Sequence, residues 1–410
     1  MKAYIILIYI SFAANLLAGG QTLEDYFQLA AENNPGLQAS YKSFEAAMQK
    51  TAQVSGLPDP TLSFGYFVSP IETRIGPQQA KFSLTQMFPW FGSSKAQEEV
   101  FTLLAEAKYQ AFLDERNRLY YQVAAAYYPL SELNQLTAIV EENLSILTSY
   151  KDITTIKFQN DQGRMVDVLR VDIMIQDATT NLAILKQKQK PLEVRFNRLI
   201  NRADNTPVMI QDTQSIGAVP VNYRKDSLLV SNPLLAEMDL RIQASAASEQ
   251  VVDKQGLPTF GVGLEYAIIG QRTDMAVENN GRDAFMPMVS MTLPIFRGKH
   301  NGAQAEAQLL QESYTLQKEA ISNKLISAYE MAWFEVQQQI EYSALYEQQI
   351  QQSERTLQLL ISAYSNSGQD FEEVLSMQQQ ILKYQKMKVK AITNYHIALA
   401  ELDYITAKSN

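Results

Sequence analysis

Residues 130–147 read LSELNQLTAIVEENLSIL and lie within a segment of helical periodicity that runs from Gly92 to Gly163. At about 1.5 Å per residue, a helix of this extent would reach roughly 105 Å. We therefore predict a long helical arm that Pro129 kinks or breaks. The apolar stripe of a helix packed lengthwise against other helices is formed by Leu133, Leu136, Val140, Leu144 and Leu147.

Two segments of strict alternation precede this arm. TLSFGYFV begins at Thr61 and AKFSLTQMF begins at Ala80, and each places large apolar residues on one face and mainly small or polar residues on the other. This pattern predicts strands over about residues 61–69 and 80–89, joined by a loop. The turn Pro89-Trp90-Phe91-Gly92 then leads into the arm.

Further helices are predicted on both sides of these elements. Residues 21–55 have helical spacing that stops and restarts at Asn34-Pro35, which predicts two helices. A return helix is expected over residues 165–199, interrupted at Pro191. Residues 201–227 are rich in Pro, Asp and Asn and are predicted to be a linker.

The same order of elements then occurs a second time. Asn232-Pro233 repeats Asn34-Pro35, and Gly256-Leu257-Pro258 repeats Gly56-Leu57-Pro58. Self-similarity at a long, fixed spacing indicates tandem duplication. We predict that repeat 1 spans residues 21–227 and has its hairpin tip at residue 163. Repeat 2 is predicted to span residues 228–410, with strands about 259–268 and 285–294 and a hairpin tip at residue 368.

The composition and the N-terminal residues limit the class of protein. MKAYIILIYISFAANLLAGG, residues 1–20, has one Lys, a short apolar run and small residues at its end, which predicts a secretory signal peptide rather than an uncleaved anchor. The remainder has no apolar window long enough for a transmembrane helix. The absence of cysteine excludes disulfides, thiolate metal sites and a lipidated N-terminal cysteine. A net charge of −9 with only short basic runs argues against nucleic acid as a partner.

The strands have the length and the two unlike faces of strands that cross an outer membrane. A small soluble sheet with an aromatic core is the alternative, but the helices are far longer than such a sheet needs. Four strands cannot close a barrel, since the smallest membrane barrels have about eight strands. Three copies would supply twelve. An aromatic girdle at one membrane boundary is predicted to comprise Phe88, Trp90, Phe91 and Phe296.

Several motifs, in order and duplicated, resemble the TolC-type outer membrane efflux family. They are TLEDYFQLAAENNPGLQAS from Thr22, GLPDPTLSF from Gly56, the strand ending in Pro-Trp-Phe-Gly, and KFQNDQGRMVDVL from Lys157. The resemblance covers essentially the whole chain after the signal segment. The motif Leu-Pro-Asp-Pro before the first strand resembles the sequence at this place in one branch of the family. That branch serves cation and drug exporters of the resistance-nodulation-division class. Some members of that branch have a lipidated N-terminal cysteine, which this chain lacks.

This resemblance implies a mainly α-helical fold with a small antiparallel β part. Three chains would form an outer membrane β-barrel and a long α-helical barrel in the periplasm. The implied partners are a periplasmic adaptor protein, a proton-driven inner-membrane pump and outer membrane lipid. The implied function is a passive exit duct, without catalysis or cofactor, in the outer membrane of a Gram-negative bacterium.

The resemblance also assigns roles to the two hairpin tips, although the tip glycines could simply end the helices. The implied adaptor contacts are Gly163, Arg164, Met165, Val166, Gly368, Gln369 and Phe371. Acidic residues near the tips are expected to form a periplasmic gate, because rings of carboxylates select cations. These are Asp161, Asp167, Asp370, Glu372 and Glu373. A solvated outer face with acids that favour the helix N-termini is the alternative for the acidic residues.

Catalysis and metal binding receive little support. The two histidines, His300 and His396, have no metal-ligand spacing, and the methionines Met286, Met288 and Met291 also suit apolar packing. The sequence does not distinguish small-molecule or cation efflux from type I protein secretion. A periplasmic coiled-coil scaffold is a more distant alternative.

Overall fold

The structure is a computed structural model that describes residues 22–210, 215–217, 231–367 and 370–408. The predicted signal peptide, most of the second half of the linker, and the tip residues Gly368 and Gln369 lie outside the described residues.

Seven helices in the described residues account for most of the chain. They are α1 (Leu23–Asn33), α2 (Pro35–Ser55), α3 (Ser93–Gln159), α4 (Met165–Leu199), α5 (Pro233–Gln255), α6 (Gly298–Ser367) and α7 (Phe371–Ile405). The predicted break at Asn34-Pro35 is confirmed. Thr22 caps α1 through a capping box with Asp25. None of the helices in the described part of the chain has an apolar window of the length that crosses a bilayer.

Pro129 was expected to kink or break its helix and Pro191 to interrupt its helix, and both lie inside continuous helices. Pro129 lies within α3, and Pro191 lies within α4, so the interruption predicted at Pro191 is wrong. A proline removes one backbone hydrogen bond and crowds the preceding turn. Long helices that are held along their length by neighbouring helices tolerate that local loss.

Four strands form one antiparallel sheet in the order β1-β2-β3-β4. The strands are β1 (Thr61–Thr73), β2 (Gly76–Phe88), β3 (Thr259–Ile269) and β4 (Ala284–Thr292). The first two extend beyond their predicted bounds, because most of the expected loop pairs as strand up to Thr73 and Gly76. Gly76 has φ +136°, and a β-carbon there would lie 1.9 Å from the Gly270 carbonyl oxygen, so only glycine fits this turn.

The described residues pack as two compact units that do not coincide with the two sequence repeats. One unit comprises residues up to Ala39, Leu113–Pro233 and residues from Ser322 onward; the other comprises Ser40–Phe112 and Leu234–Ile321. Each unit takes segments from both repeats. The second unit contains the whole sheet, and the first contains both hairpin tips.

The two Asn-Pro sequences make equivalent contacts within the first unit. The Asn34 amide Nδ2 donates to the carbonyl of Leu199 at 2.8 Å, and the Asn232 amide Nδ2 donates to the carbonyl of Ile405 at 2.8 Å. Each acceptor is the last residue of a return helix, where carbonyl groups lack partners within the helix. The duplicated motif therefore ties the start of each repeat to the end of its own hairpin.

Replacing Asn232 with Ala is expected to lower the free energy of unfolding by about 1–3 kcal/mol, since it leaves the buried Ile405 carbonyl without this donor. Asn34→Ala should behave similarly, because Asn34 also accepts a hydrogen bond from the Leu37 amide. Denaturant titration followed by circular dichroism measures the change. Asn33→Ala is the matched control, as Asn33 only bonds locally to Leu29 on an exposed surface. Equal losses at positions 33 and 232 would contradict the assignment.

Candidate functional site at the hairpin tips

The first hairpin turns between α3 and α4 with a left-handed residue that is not glycine. Asp161 has φ +58°, a conformation that short polar side chains tolerate better than most. The amide of Gln162 donates to the carbonyl of Lys157 at 2.8 Å. Gly163 keeps this turn uncrowded, because a β-carbon there would lie 3.0 Å from Lys157 Cβ and 3.2 Å from the Phe158 amide nitrogen, closer than most β-carbon contacts.

The second hairpin leads from α6 into α7 through residues that are only partly described. Asp370 is the N-cap of α7, and its side chain accepts a hydrogen bond from the Glu372 amide at 3.5 Å. Glu372 and Glu373 follow in the first turn, where negative charge is favourable at a helix N-terminus.

Basic residues of the first hairpin bind acceptors on the second. Arg164 forms ion pairs with Asp370 and, at 3.3 Å, with Asp167 of its own hairpin. Arg170 Nη1 lies 2.7 Å from Glu372 Oε2. A third contact involves Lys157, whose Nζ donates to the Tyr364 carbonyl at 2.9 Å and lies 4.0 Å from the centre of the Tyr364 ring.

An aromatic cluster lies beneath these polar contacts. Phe371 is only 2% exposed, and its ring centre lies 4.7 Å from that of Tyr364 and 5.6 Å from that of Tyr150. Phe371 therefore belongs to the core of the tips, and its burial does not suit the predicted role as an adaptor contact. The remaining buried members of this cluster are Leu147, Val171, Ala178, Val374 and Leu375.

The electrostatic surroundings favour a charged Asp370 and a neutral Tyr364. Partial desolvation raises the pKa of Asp370, but hydrogen bonds from Arg164 and the Glu372 amide and the positive charge of Arg164 and Arg170 lower it further, so the net shift is downward. Burial, assisted by the negative charge of Asp167, raises the pKa of Tyr364. At neutral pH, a charged Asp370 therefore pairs with Arg164 above a core that contains the neutral Tyr364.

The five acids predicted as a gate are not equivalent. Asp167, Asp370 and Glu372 are paired with arginines. Asp161 lies in the turn, and Glu373 is exposed without an ion-pair partner in the described residues. Sequence reasoning missed Lys157, Arg170, Tyr150 and Tyr364 as site residues. One sequence signal could have indicated the contact between the tips. Arginines follow the first tip glycine, whereas acidic residues follow the second.

Met165 and Val166, two of the predicted adaptor contacts, are exposed, as is Arg164. Met165 is followed at helical spacing by Leu169 and Ile173, which are also exposed. Because residues four apart share one helix face, the start of α4 carries an exposed apolar stripe.

The second predicted site is the membrane-facing surface of the sheet with its aromatic girdle. Large apolar residues on one face are exposed, up to 93% at Val68 and 82% at Val289. The other face carries Gly261, Gly263 and an ion pair between Lys81 and Glu265 at 3.0 Å. At one end of the sheet are the predicted girdle residues: Phe88, Phe91 and Phe296 are exposed, and Trp90 stacks on Phe260 with ring centres 5.7 Å apart.

The described residues contain no group of three or more His, Asp or Glu side chains that could hold a metal ion. Met286 and Met288 lie on the glycine face of β4, while Met291 pairs with Phe260 on the other face, so the three thioethers do not converge. His396 stacks on Tyr128 with ring centres 4.9 Å apart, and burial lowers its pKa despite a hydrogen bond with the backbone of Ser215.

Comparison with known proteins agrees with this architecture. A family model described as outer membrane efflux protein matches residues 225–408. Outer membrane efflux protein BepC of Brucella suis biovar 1 (strain 1330) is 23% identical over 231 residues, which is 55% of this chain and 48% of BepC. The matched part of the chain thus spans about half the length of this curated relative.

Solved structures share the fold over nearly the whole chain. The outer membrane protein VceC from Vibrio cholerae has a TM-score of 0.73 at 15% identity, covering 94% of this chain and 95% of VceC. The CmeC outer membrane channel of Campylobacter jejuni has a TM-score of 0.75 at 12% identity, covering 94% and 86%. CusC has a TM-score of 0.78 at 14% identity, covering 94% and 91%.

These likenesses define the class: the fold is that of TolC-type outer membrane channels. The family model adds that residues 225–408 are similar in sequence to outer membrane efflux proteins. The predicted fold class is thereby confirmed.

Proposed function

We propose that three copies of this chain form the outer membrane duct of a tripartite efflux system. In each copy the four strands supply one third of a membrane barrel, and the helical hairpins supply part of a tube through the periplasm. The observation that carries the proposal is the exposed apolar face of an open four-stranded sheet. An open sheet edge is not tolerated in lipid, whereas a barrel closed by three copies has no edge.

Fractionation and conductance measurements test this function. The full chain should be recovered from outer membranes as a cross-linkable trimer, and it should form channels in planar bilayers. A soluble protein without conductance would instead support the periplasmic scaffold. The duct itself performs no chemistry in this proposal, and transport is driven by a partner pump.

We infer that the two tips bind the periplasmic adaptor. Exposed Met165 and Val166 and the stripe continued by Leu169 supply apolar contact area beside the charged Arg164. Gly368 and Gln369 lie outside the described residues and are proposed as adaptor contacts from their sequence position alone. An adjacent gene for a proton-driven pump would support efflux of small molecules or cations, and an ATP-driven exporter would support protein secretion.

The ties between the two hairpins are the proposed gate. Arg164 and Arg170 hold the second tip against the first, and three such sets in a trimer would narrow the periplasmic end. Opening requires these ion pairs to separate.

Replacing Glu372 and Glu373 together by Gln is expected to raise single-channel conductance and reduce cation preference, since the change removes one tie and two negative charges from each copy. Planar bilayer recordings provide both values. Glu373→Gln alone is the matched control: it removes a charge but no ion pair of the described residues, so it should alter ion preference more than conductance. Unchanged conductance and ion preference in the double variant would exclude both acids from the gate.

A further inference from the structure

Four basic residues surround the end of the sheet where the strands lead into the long helices. Lys95 lies in the first turn of α3, and Lys299 lies in the first turn of α6. Arg297 lies in the turn before α6, and Lys254 lies in the last turn of α5. We refer to these four residues as the basic collar.

Close contacts connect α5 to both strand-to-helix turns. Lys254 Nζ lies 2.9 Å from the position that a β-carbon on Gly92 would occupy, so this ammonium group lies against the start of α3. Arg297 Nη1 lies 3.7 Å from the corresponding position on Gly256, at the end of α5. Segments far apart in sequence therefore bring positive charge to one place.

None of the four collar cations forms a salt bridge within 4.0 Å in the described part of the chain. Acids do occur on the same segments, and they are Asp59, Glu98, Glu99 and Asp253. The cations at the hairpin tips behave differently, because Arg164 and Arg170 both have carboxylate partners. The collar thus has positive charge that is not neutralised by direct pairing.

The helix ends add to this charge. The first turns of α3 and α6 each contain a collar lysine and no acidic residue, whereas those of α1, α4 and α7 contain acids and those of α2 and α5 contain no charged residue. A helix N-terminus carries partial positive charge and exposed N–H groups, so a lysine in the first turn is unfavourable unless an anion is nearby. Both repeats have this arrangement at the same end of the sheet.

Exposed apolar side chains adjoin the collar. Phe91 is 84% exposed, Phe296 is 82% exposed, and Ile295 is also exposed. An anion that fits this surface therefore carries a negatively charged group and apolar chains together. That combination is characteristic of an anionic membrane lipid, and a free inorganic anion would leave the apolar side chains uncovered.

We propose that the basic collar binds the phosphate headgroups of anionic glycerophospholipids, with the acyl chains against Phe91, Phe296 and the apolar face of the sheet. The site rests on the proposed function, since it requires the sheet to lie in a membrane. Lipid binding there would fix the depth of the barrel in the leaflet that faces the periplasm.

Trp90 allows a direct test because it lies beside Phe91 at the collar and the chain has only two tryptophans. Trp333→Phe leaves Trp90 as the single emitter. This protein is reconstituted in phosphatidylcholine vesicles containing a small fraction of brominated phosphatidylglycerol or, separately, brominated phosphatidylcholine. Preferential quenching by the anionic lipid is expected, with a preference of about fivefold for each collar cation engaged. The preference should fall as salt is raised.

Substitution of the collar decides whether these residues cause the preference. Changing Lys95, Lys254, Arg297 and Lys299 to Gln should make the two brominated lipids equal quenchers. The matched control is Arg74→Gln with Arg282→Gln, two cations near the opposite end of the sheet, which should retain the preference. Equal quenching in the starting protein, or a preference that survives the collar substitutions, would overturn the proposal. Absence of quenching by either lipid would instead contradict the membrane location of the sheet.

Discussion

Arg164→Gln is expected to shift the channel toward its open state and to raise the ratio of open to closed channels about tenfold, which corresponds to the loss of a modest stabilisation of the closed state. The physical reason is that one guanidinium serves two carboxylates. It joins Asp370 of the second hairpin to the first, and it pairs with Asp167, whose side chain is buried. Single-channel recording in planar bilayers measures the open fraction.

A double-mutant cycle separates this tie from a general loss of charge. Asp370→Asn combined with Arg164→Gln should have a smaller effect than the sum of the two single changes, because both remove the same ion pair. Arg164→Lys keeps the charge but loses the two-sided geometry, and it should have an intermediate effect. Strictly additive effects would show that Arg164 and Asp370 act independently and are not a gate.

The lowered pKa of Asp370 predicts how the gate depends on pH. A carboxyl whose pKa is lowered by pairing contributes fully above its ordinary pKa, near 4, and loses its contribution as pH falls through the lowered value. Conductance should therefore be constant between about pH 5 and pH 8 and rise only in stronger acid. Arg164→Gln should weaken this response. A transition near neutral pH would assign the response to a different group.

Phe371→Ala is expected to have the largest effect on stability, about 3–5 kcal/mol, because it opens a cavity in the aromatic cluster between Tyr150 and Tyr364. The loss should be concentrated at the tips. Hydrogen exchange should therefore show faster exchange in the first turns of α7 and the last turns of α3, and channel recordings should show a less stable closed state.

Two further variants keep this prediction testable if Phe371→Ala fails to assemble. Phe371→Leu retains most of the apolar volume and should cost less than about 1.5 kcal/mol. Phe158→Ala, at an exposed position of the first hairpin tip, should change stability by no more than about 0.5 kcal/mol. Similar effects at positions 158 and 371 would contradict a core role for Phe371.

The sequence predicted most of the elements, because their signals are local. Alternation identified all four strands, and helical periodicity identified the arms and the return helices. The errors also have local causes. Pro191 was given the effect it has on an isolated helix, and about residues 69–79, which include Pro70 and Gly76, were assigned to a loop. In the folded chain, contacts with neighbouring elements outweighed the local effect of Pro191 on its helix and of Pro70 and Gly76 on the strands.

The candidate site was predicted less completely, for a physical reason. Tip acids and glycines stand out because of their position next to a turn, but Lys157 and Tyr364 are unremarkable residues within long helices. Their importance arises from a contact between residues 207 positions apart in the chain. Likewise, Phe371 follows a tip glycine closely and was assigned to the surface, whereas its side chain points into the core.

The amino-acid sequence by itself determined most of the helices and strands and the apolar face of the strands, because each depends on residue type and spacing along the chain. Only the tertiary structure decided which groups meet: Arg164 with Asp370, Asn232 with the carbonyl of Ile405, and Lys254 with the turn at Gly92. These contacts join segments that are distant in sequence. Ion pairs and hydrogen bonds act over a few ångströms, so their partners are defined only once the chain is folded.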